Sequence, residues 1–100
     1  MIVSDLIDCD HPSLPGHFPG SPVVAGALIL QRVELGLKKA FPTARLSGLQ
    51  KARFRAPLMP GQAFDIVFGD VREGRLRVEV RQADRAVFTA ILVLAEGASA

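Results

Sequence analysis

The sequence predicts an α+β domain in which an antiparallel sheet wraps around one long buried helix. Three observations carry that expectation. One dense apolar segment of helical length runs from Val23 to Phe41, later segments alternate apolar with polar residues, and Gly- or Pro-bearing turns separate them. A lone apolar helix needs cover on every side, which a curled sheet completed by a second subunit supplies. The expected assembly is at least a homodimer.

A short N-terminal strand comes first. From Asp10 to Pro22 the chain then carries Pro12, Pro15, Gly16, Pro19, Gly20 and Pro22, which disfavour both helix and regular strand and predict a shaped loop. In the segment that follows, apolar residues between Val23 and Leu30 crowd so densely that the first two turns read as apolar all round, and hence buried. Its second half turns amphipathic through Arg32, Glu34, Lys38 and Lys39. The two lysines suit a helix C-terminus and Pro42 stops the helix. Gly26 falls in the first turn.

After Leu46 the period becomes two. Ala52, Phe54 and Ala56 alternate with Lys51, Arg53 and Arg55, a strand with one basic face that ends at Pro57. Pro60-Gly61 marks a turn, then Phe64, Ile66 and Phe68 alternate with Asp65, Val67 and Gly69. Beyond Glu73-Gly74, Leu76, Val78 and Val80 alternate with Arg75, Arg77, Glu79 and Arg81. A turn at Asp84 leads to Ala86 through Leu94, apolar on both faces, which predicts a central or interface strand.

The chain of 100 residues suffices for one hydrophobic core, so residues 1–100 are expected to form a single domain. Its longest apolar run, Val87 to Ala95 interrupted by Thr89, is far shorter than the roughly 20 residues that span a bilayer. Asp5, Asp8 and Asp10 break up the only apolar start, so no secretory leader is expected, and the reading is a soluble, cytoplasmic protein. Cys9 is the only cysteine and has no partner at zinc-ligand spacing, which predicts neither a disulfide nor a structural metal. The formal net charge of +2 comes from interleaved cations and carboxylates, and there is no Trp or Tyr, which argues against nucleic acid as the partner.

Two positions suggest chemistry. His17 sits between Gly16 and Phe18 on a backbone stiffened by prolines, close to the helix start, which suits a general base. Gly26 would offer a backbone N–H at the positive end of the helix dipole with no side chain in front of it, which suits an oxyanion hole. By spacing alone, a histidine bonded to a loop carbonyl and a glycine permitting close helix packing explain the same pattern.

The run His11-Pro12-Ser13-Leu14-Pro15-Gly16-His17-Phe18-Pro19-Gly20-Ser21-Pro22-Val23-Val24-Ala25-Gly26 resembles the signature of the FabZ and FabA-type 3-hydroxyacyl-acyl carrier protein dehydratases. Ala52-Arg53-Phe54-Arg55-Ala56-Pro57-Leu58-Met59-Pro60-Gly61 resembles the strand and turn that follow the helix in that family. The resemblance implies a hotdog fold and elimination of water from a 3-hydroxyacyl thioester to give a trans-2-enoyl thioester, or the reverse hydration, without a cofactor. It implies that His17 is the catalytic base, that Gly26 supplies an oxyanion donor, and that Phe18, Gly20 and Val24 surround the substrate. It also implies an acyl carrier protein as the substrate's bearer. Because such carriers are acidic, Lys51, Arg53 and Arg55 become candidates for docking them, beside the alternative of a solvated strand face.

One position departs from the family, whose acid, Glu or Asp, lands here on Gln31, fourteen positions after His17. An amide can orient a hydroxyl or a water but cannot donate a catalytic proton, so general-acid help worth roughly 10² to 10⁴ is lost. His17 could serve both steps. Glu34 could substitute, although it lies about 4.5 Å further along the helix axis. In the family, histidine and acid of one site come from different subunits, so a related dehydratase subunit could supply the acid in a heterodimer. Two other functions stay open at this point: a catalytically weak or inactive acyl-binding subunit, and a hotdog thioesterase, for which no carboxylate occupies the first helical turns. Val23, Val24, Phe54 and Phe64 are candidates either to line the acyl tunnel or to pack the core, and His11 reads as a loop residue rather than a metal ligand.

Overall fold

The structure, a computed structural model, describes residues 1–8, 24 and 26–95. Their elements are β1 (Ile2–Asp5), α1 (Gly26–Ala40), β2 (Leu46–Phe54), β3 (Phe64–Arg72), β4 (Arg75–Gln82) and β5 (Arg85–Leu94). The strands form one antiparallel five-stranded sheet in the order β1-β3-β4-β5-β2. Sequence neighbours β2 and β3 therefore lie at different places in the sheet, and β2 takes the edge beside β5.

Hairpin chemistry sets the β3-β4-β5 register. Glu73 and Gly74 have φ of 52° and 74°, and Ala83 and Asp84 have φ of 51° and 60°. Paired positive-φ residues match the right-handed twist of the strands they join. The alternation expected from the sequence holds: Phe64, Ile66, Phe68, Leu76, Val78 and Val80 are all buried, and Phe88, Ala90, Leu92 and Leu94 continue that face on β5. β5 is flanked by β4 and β2, as its two-sided apolar pattern demands. Its outward residues Thr89, Ile91 and Val93 are half-buried.

The helix differs from its expected form. It starts at Gly26 rather than Val23, and it is buried along one stripe: Leu28, Ile29, Val33, Gly36 and Leu37. Ala27, Gln31, Glu34 and Leu35 are exposed, so the first two turns are not covered all round within this chain. The sheet passes beneath one side of the helix and does not close over the other. Gly36 permits the close approach, since a Cβ there would lie 3.2 Å from Ile66 Cδ1 and 3.5 Å from the ring of Phe68. Arg32 and Asp5 add an ion pair at 3.6 Å between helix and β1; a pair so accessible to water contributes little.

A polar clamp holds the turn that leads into β3. Gln82 is 5% exposed. Its Oε1 accepts the Met59 N–H at 2.8 Å, and its Nε2 donates to the carbonyls of Met59 at 3.0 Å and Gln62 at 2.9 Å. The Gly61 N–H donates to the Ile7 carbonyl at 2.7 Å, and the Val24 N–H to the Leu58 carbonyl at 3.1 Å. Residues 58–62 thus tie together the end of β4, the N-terminal segment and the approach to α1. Gln82→Leu is expected to lower stability by about 2 kcal/mol, because three backbone groups lose their protein partner. Chemical denaturation measures this, and an unchanged midpoint would show that water replaces the amide without cost.

Candidate active site

The first turn of α1 opens on a cavity of about 410 Å³, walled by Val24, Gly26 and Ile29 on one side and by Phe54 through Leu58 on the other. The position of Gly26 is sterically demanding. A Cβ there would stand 2.9 Å from Phe54 Cζ, so the aromatic ring occupies the space a side chain would need. Phe54 is 53% exposed and stacks at a 39° tilt on buried Phe88, with ring centroids 4.7 Å apart. Val24, whose backbone N–H is fixed by Leu58, is buried beside it. Sequence reasoning left Val24, Phe54 and Phe64 between tunnel and core. Here Val24 and Phe54 line the cavity, whereas Phe64 is part of the buried core.

His17, Phe18 and Gly20, together with Cys9, His11 and Val23, lie outside the described residues. Gln31 is described and does not line this cavity. It faces a separate groove of about 480 Å³ with Ala27, Leu30 and Glu34 of the helix, and with Leu46 and Leu49 of the edge strand β2. Leu35, Leu46 and Leu49 are exposed large apolar residues in this same groove. Within one chain, therefore, Gly26 and Gln31 address two different hollows. The reason is helical geometry: at about 100° per residue, Gly26 and Gln31 are roughly 140° apart around the axis.

The basic strand face is more complicated than simple alternation implies. β2 ends at Phe54 rather than Ala56, and its register against β5 slips between Gln50 and Arg53. Lys51 takes the slip with φ of 52°. The extra residue is a β-bulge, which re-aims side chains. Even so, Lys51, Arg53 and Arg55 meet in one groove of about 400 Å³ on the side of the sheet away from the helix. Arg77 of β4 joins them over a floor of Thr89, Ala90 and Ile91. Arg55 Nε donates to Thr89 Oγ1 at 3.4 Å. Arg77 was not foreseen as part of a site. Its alternation with Leu76 and Val78 marked it as outward-facing, but only the strand order brings it opposite β2.

Among the described residues, no group of His, Cys, Asp and Glu is placed to hold a metal ion. No helix there is long and apolar enough to cross a membrane.

Comparison with known proteins bears on what these hollows do. Residues 2–91 match the family model ApeI-like, described as ApeI dehydratase. A 3-hydroxyacyl-[acyl-carrier-protein] dehydratase FabZ of Thermus thermophilus is 38% identical over 90% of this chain and 73% of that protein. A FabZ of Haemophilus influenzae is 32% identical over 69% of this chain and 53% of that protein; the chain spans about half the length of such relatives. Among solved structures, the dehydratase heterocomplex ApeI:P from Xenorhabdus doucetiae superposes with a TM-score of 0.76 at 20% identity, covering 95% of this chain and 86% of that one. A protein from Erwinia carotovora subsp. atroseptica superposes with a TM-score of 0.75 at 19% identity, covering 94% and 81%. Both likenesses establish the hotdog fold.

Proposed function

This chain belongs to the ApeI-like dehydratase family, and on that premise we propose that it removes water from 3-hydroxyacyl thioesters carried by an acyl carrier protein, giving trans-2-enoyl thioesters. The observation that carries the reading is the cavity at the start of α1, where Gly26 presents its backbone without a side chain beside the Phe54 ring. A thioester carbonyl placed there accepts from the first-turn N–H. His17 takes the proton from C2, the electron pair forms the C2–C3 double bond, and the C3 hydroxyl departs as water with the proton returned by the His17 imidazolium. Negative charge building on the thioester oxygen meets a preorganised donor, a term worth roughly 10² to 10³ in rate in related acyl chemistry.

Gln31 stands where the family has its acid, and its groove points away from the Gly26 cavity. This separation supports a site completed by a second hotdog chain, seated along β2 and the exposed side of α1. Among the described residues no strand pairs the outer edge of β2, which is flanked by Leu46 and Leu49. No carboxylate occurs between Arg45 and Phe64, so two copies joined through β2 would set cation against cation. A related subunit with an acidic edge fits better than a second copy. A second reading follows from the same observations: the chain is the weak or silent partner of such a pair, binding the acyl group while the other subunit supplies the acid. Thioesterase activity is disfavoured, since no Asp or Glu is among the described residues lining the cavity.

The test is absorbance-monitored formation of the enoyl thioester from a 3-hydroxyacyl carrier substrate by wild type and Gln31→Glu. Restoring the acid is expected to raise turnover by about 10². Silence of both proteins alone, with activity on adding a related dehydratase subunit, would favour the partner reading. Silence under all conditions would end the dehydratase proposal.

A further inference from the structure

We propose that the basic groove on the outer face of the sheet is a phosphate site, which holds the phosphate of a phosphorylated pantetheine arm while the thioester end of that arm lies in the Gly26 cavity. This deepens the thioester reading above and rests on it for the identity of the arm. The link is Arg55, which lines both the cavity and the groove, so that the two hollows adjoin at the end of β2.

The strand order builds the groove. β5 pairs with β2 on one side and β4 on the other, matching Arg53 with Thr89, and Ile91 with both Gln50 and Arg77. With neighbouring strands about 4.8 Å apart, cations on β2 and β4 flank the β5 floor across about 10 Å, a width that long side chains close around one tetrahedral anion. The floor offers the Thr89 hydroxyl and the apolar side chain of Ile91.

The local charge balance points the same way. Two carboxylates share neighbouring hollows with Arg77: Glu79, which is engaged by Arg81 at 3.0 Å, and Asp70, which lies toward Arg72 and Arg75. Arg75 donates from Nε to Gln50 Oε1 at 3.3 Å. Among the described residues, Lys51, Arg53, Arg55 and Arg77 have no carboxylate within ion-pair distance. Four unpaired cations around one hollow repel one another, and an anion with several oxygens relieves that repulsion while accepting paired guanidinium bonds. A carboxylate-bearing protein surface would also be attracted, but it would not account for Arg55 lining both the groove and the Gly26 cavity.

Calorimetric titration of an unreactive alkyl thioether of 4′-phosphopantetheine, beside the same thioether without phosphate, separates these ideas. The phosphorylated ligand is expected to bind wild type about tenfold more tightly. Arg77→Ala should erase most of that difference while leaving the phosphate-free ligand unchanged. Arg85→Ala, which removes an exposed cation elsewhere, should alter neither. Arg77→Gln checks that the loss follows charge rather than folding. Equal binding of the two ligands by wild type, equal weakening of both by Arg77→Ala, or no binding of either would overturn the proposal. A carrier-borne arm and a coenzyme A thioether should show the same Arg77 dependence. Dependence seen only with the carrier would mean that the cations grip its acidic surface instead, which also overturns the phosphate site. Turnover of a phosphate-free 3-hydroxyacyl thioester is followed in parallel. Phosphate discrimination without turnover would remove the dehydratase reading and leave the site standing; turnover without discrimination would do the reverse.

Discussion

Exchange of His17 for alanine is expected to lower turnover of a 3-hydroxyacyl thioester by about 10² to 10⁴, the range typical for loss of a positioned general base. The proton at C2 of a thioester is weakly acidic, and among the described residues lining the Gly26 cavity there is no carboxylate or histidine to remove it. Arg55, the charged residue among those described in that wall, carries a guanidinium, which donates hydrogen bonds and has no acceptor to take the proton. His17 precedes Val24 and Gly26 in sequence, within the motif that resembles the family's histidine-bearing signature, and is the base proposed here. Binding of an unreactive thioether should be unchanged, because the imidazole is assigned to the proton and not to the acyl chain. If the rate falls by less than about tenfold, the base is another residue and His17 returns to the role of a loop hydrogen bonder. If binding falls together with rate, the histidine shapes the loop rather than the reaction.

Phe88→Ala is expected to destabilise the protein by about 3 to 5 kcal/mol, the usual cost of removing a buried aromatic ring. Phe88 is 0% exposed, pairs with Val80 on one side and Phe54 on the other, and supports the Phe54 ring that closes over Gly26. Its loss leaves a void beneath the cavity wall that neighbouring strands, held by ladder hydrogen bonds, cannot collapse to fill. Urea denaturation measures the effect. Phe54→Ala is the internal comparison, and it should cost much less because half of that ring already meets water. A loss below about 1 kcal/mol for Phe88→Ala would mean that the sheet end repacks freely and that the Phe54 ring has no fixed seat.

By itself the sequence determined the elements and the family. Period-two alternation marked Phe64 through Phe68 and Leu76 through Val80 as half-buried strands, since side chains on a pleated chain must point alternately to core and water. Glu73-Gly74 and the Asp84 turn were legible because few residues adopt positive φ without strain. The loop around His17 and the segment from Ala52 to Gly61 were legible as motifs, and the match of residues 2–91 to the ApeI-like family agrees with them. What alternation cannot encode is which strand lies beside which. Only the tertiary structure put β2 at the edge next to β5, carried Arg77 into the groove of Lys51, Arg53 and Arg55, and set Gln82 under the turn at residues 58–62. The helix shows the same boundary. Its dense apolar start announced burial on all sides, but which faces are covered depends on tertiary contacts, and among the described residues the burial follows the stripe through Leu28, Val33 and Leu37. The side left uncovered by the described residues carries exposed Leu35, Leu46 and Leu49 beside Gln31, and local sequence records that apolar character without recording what lies against it.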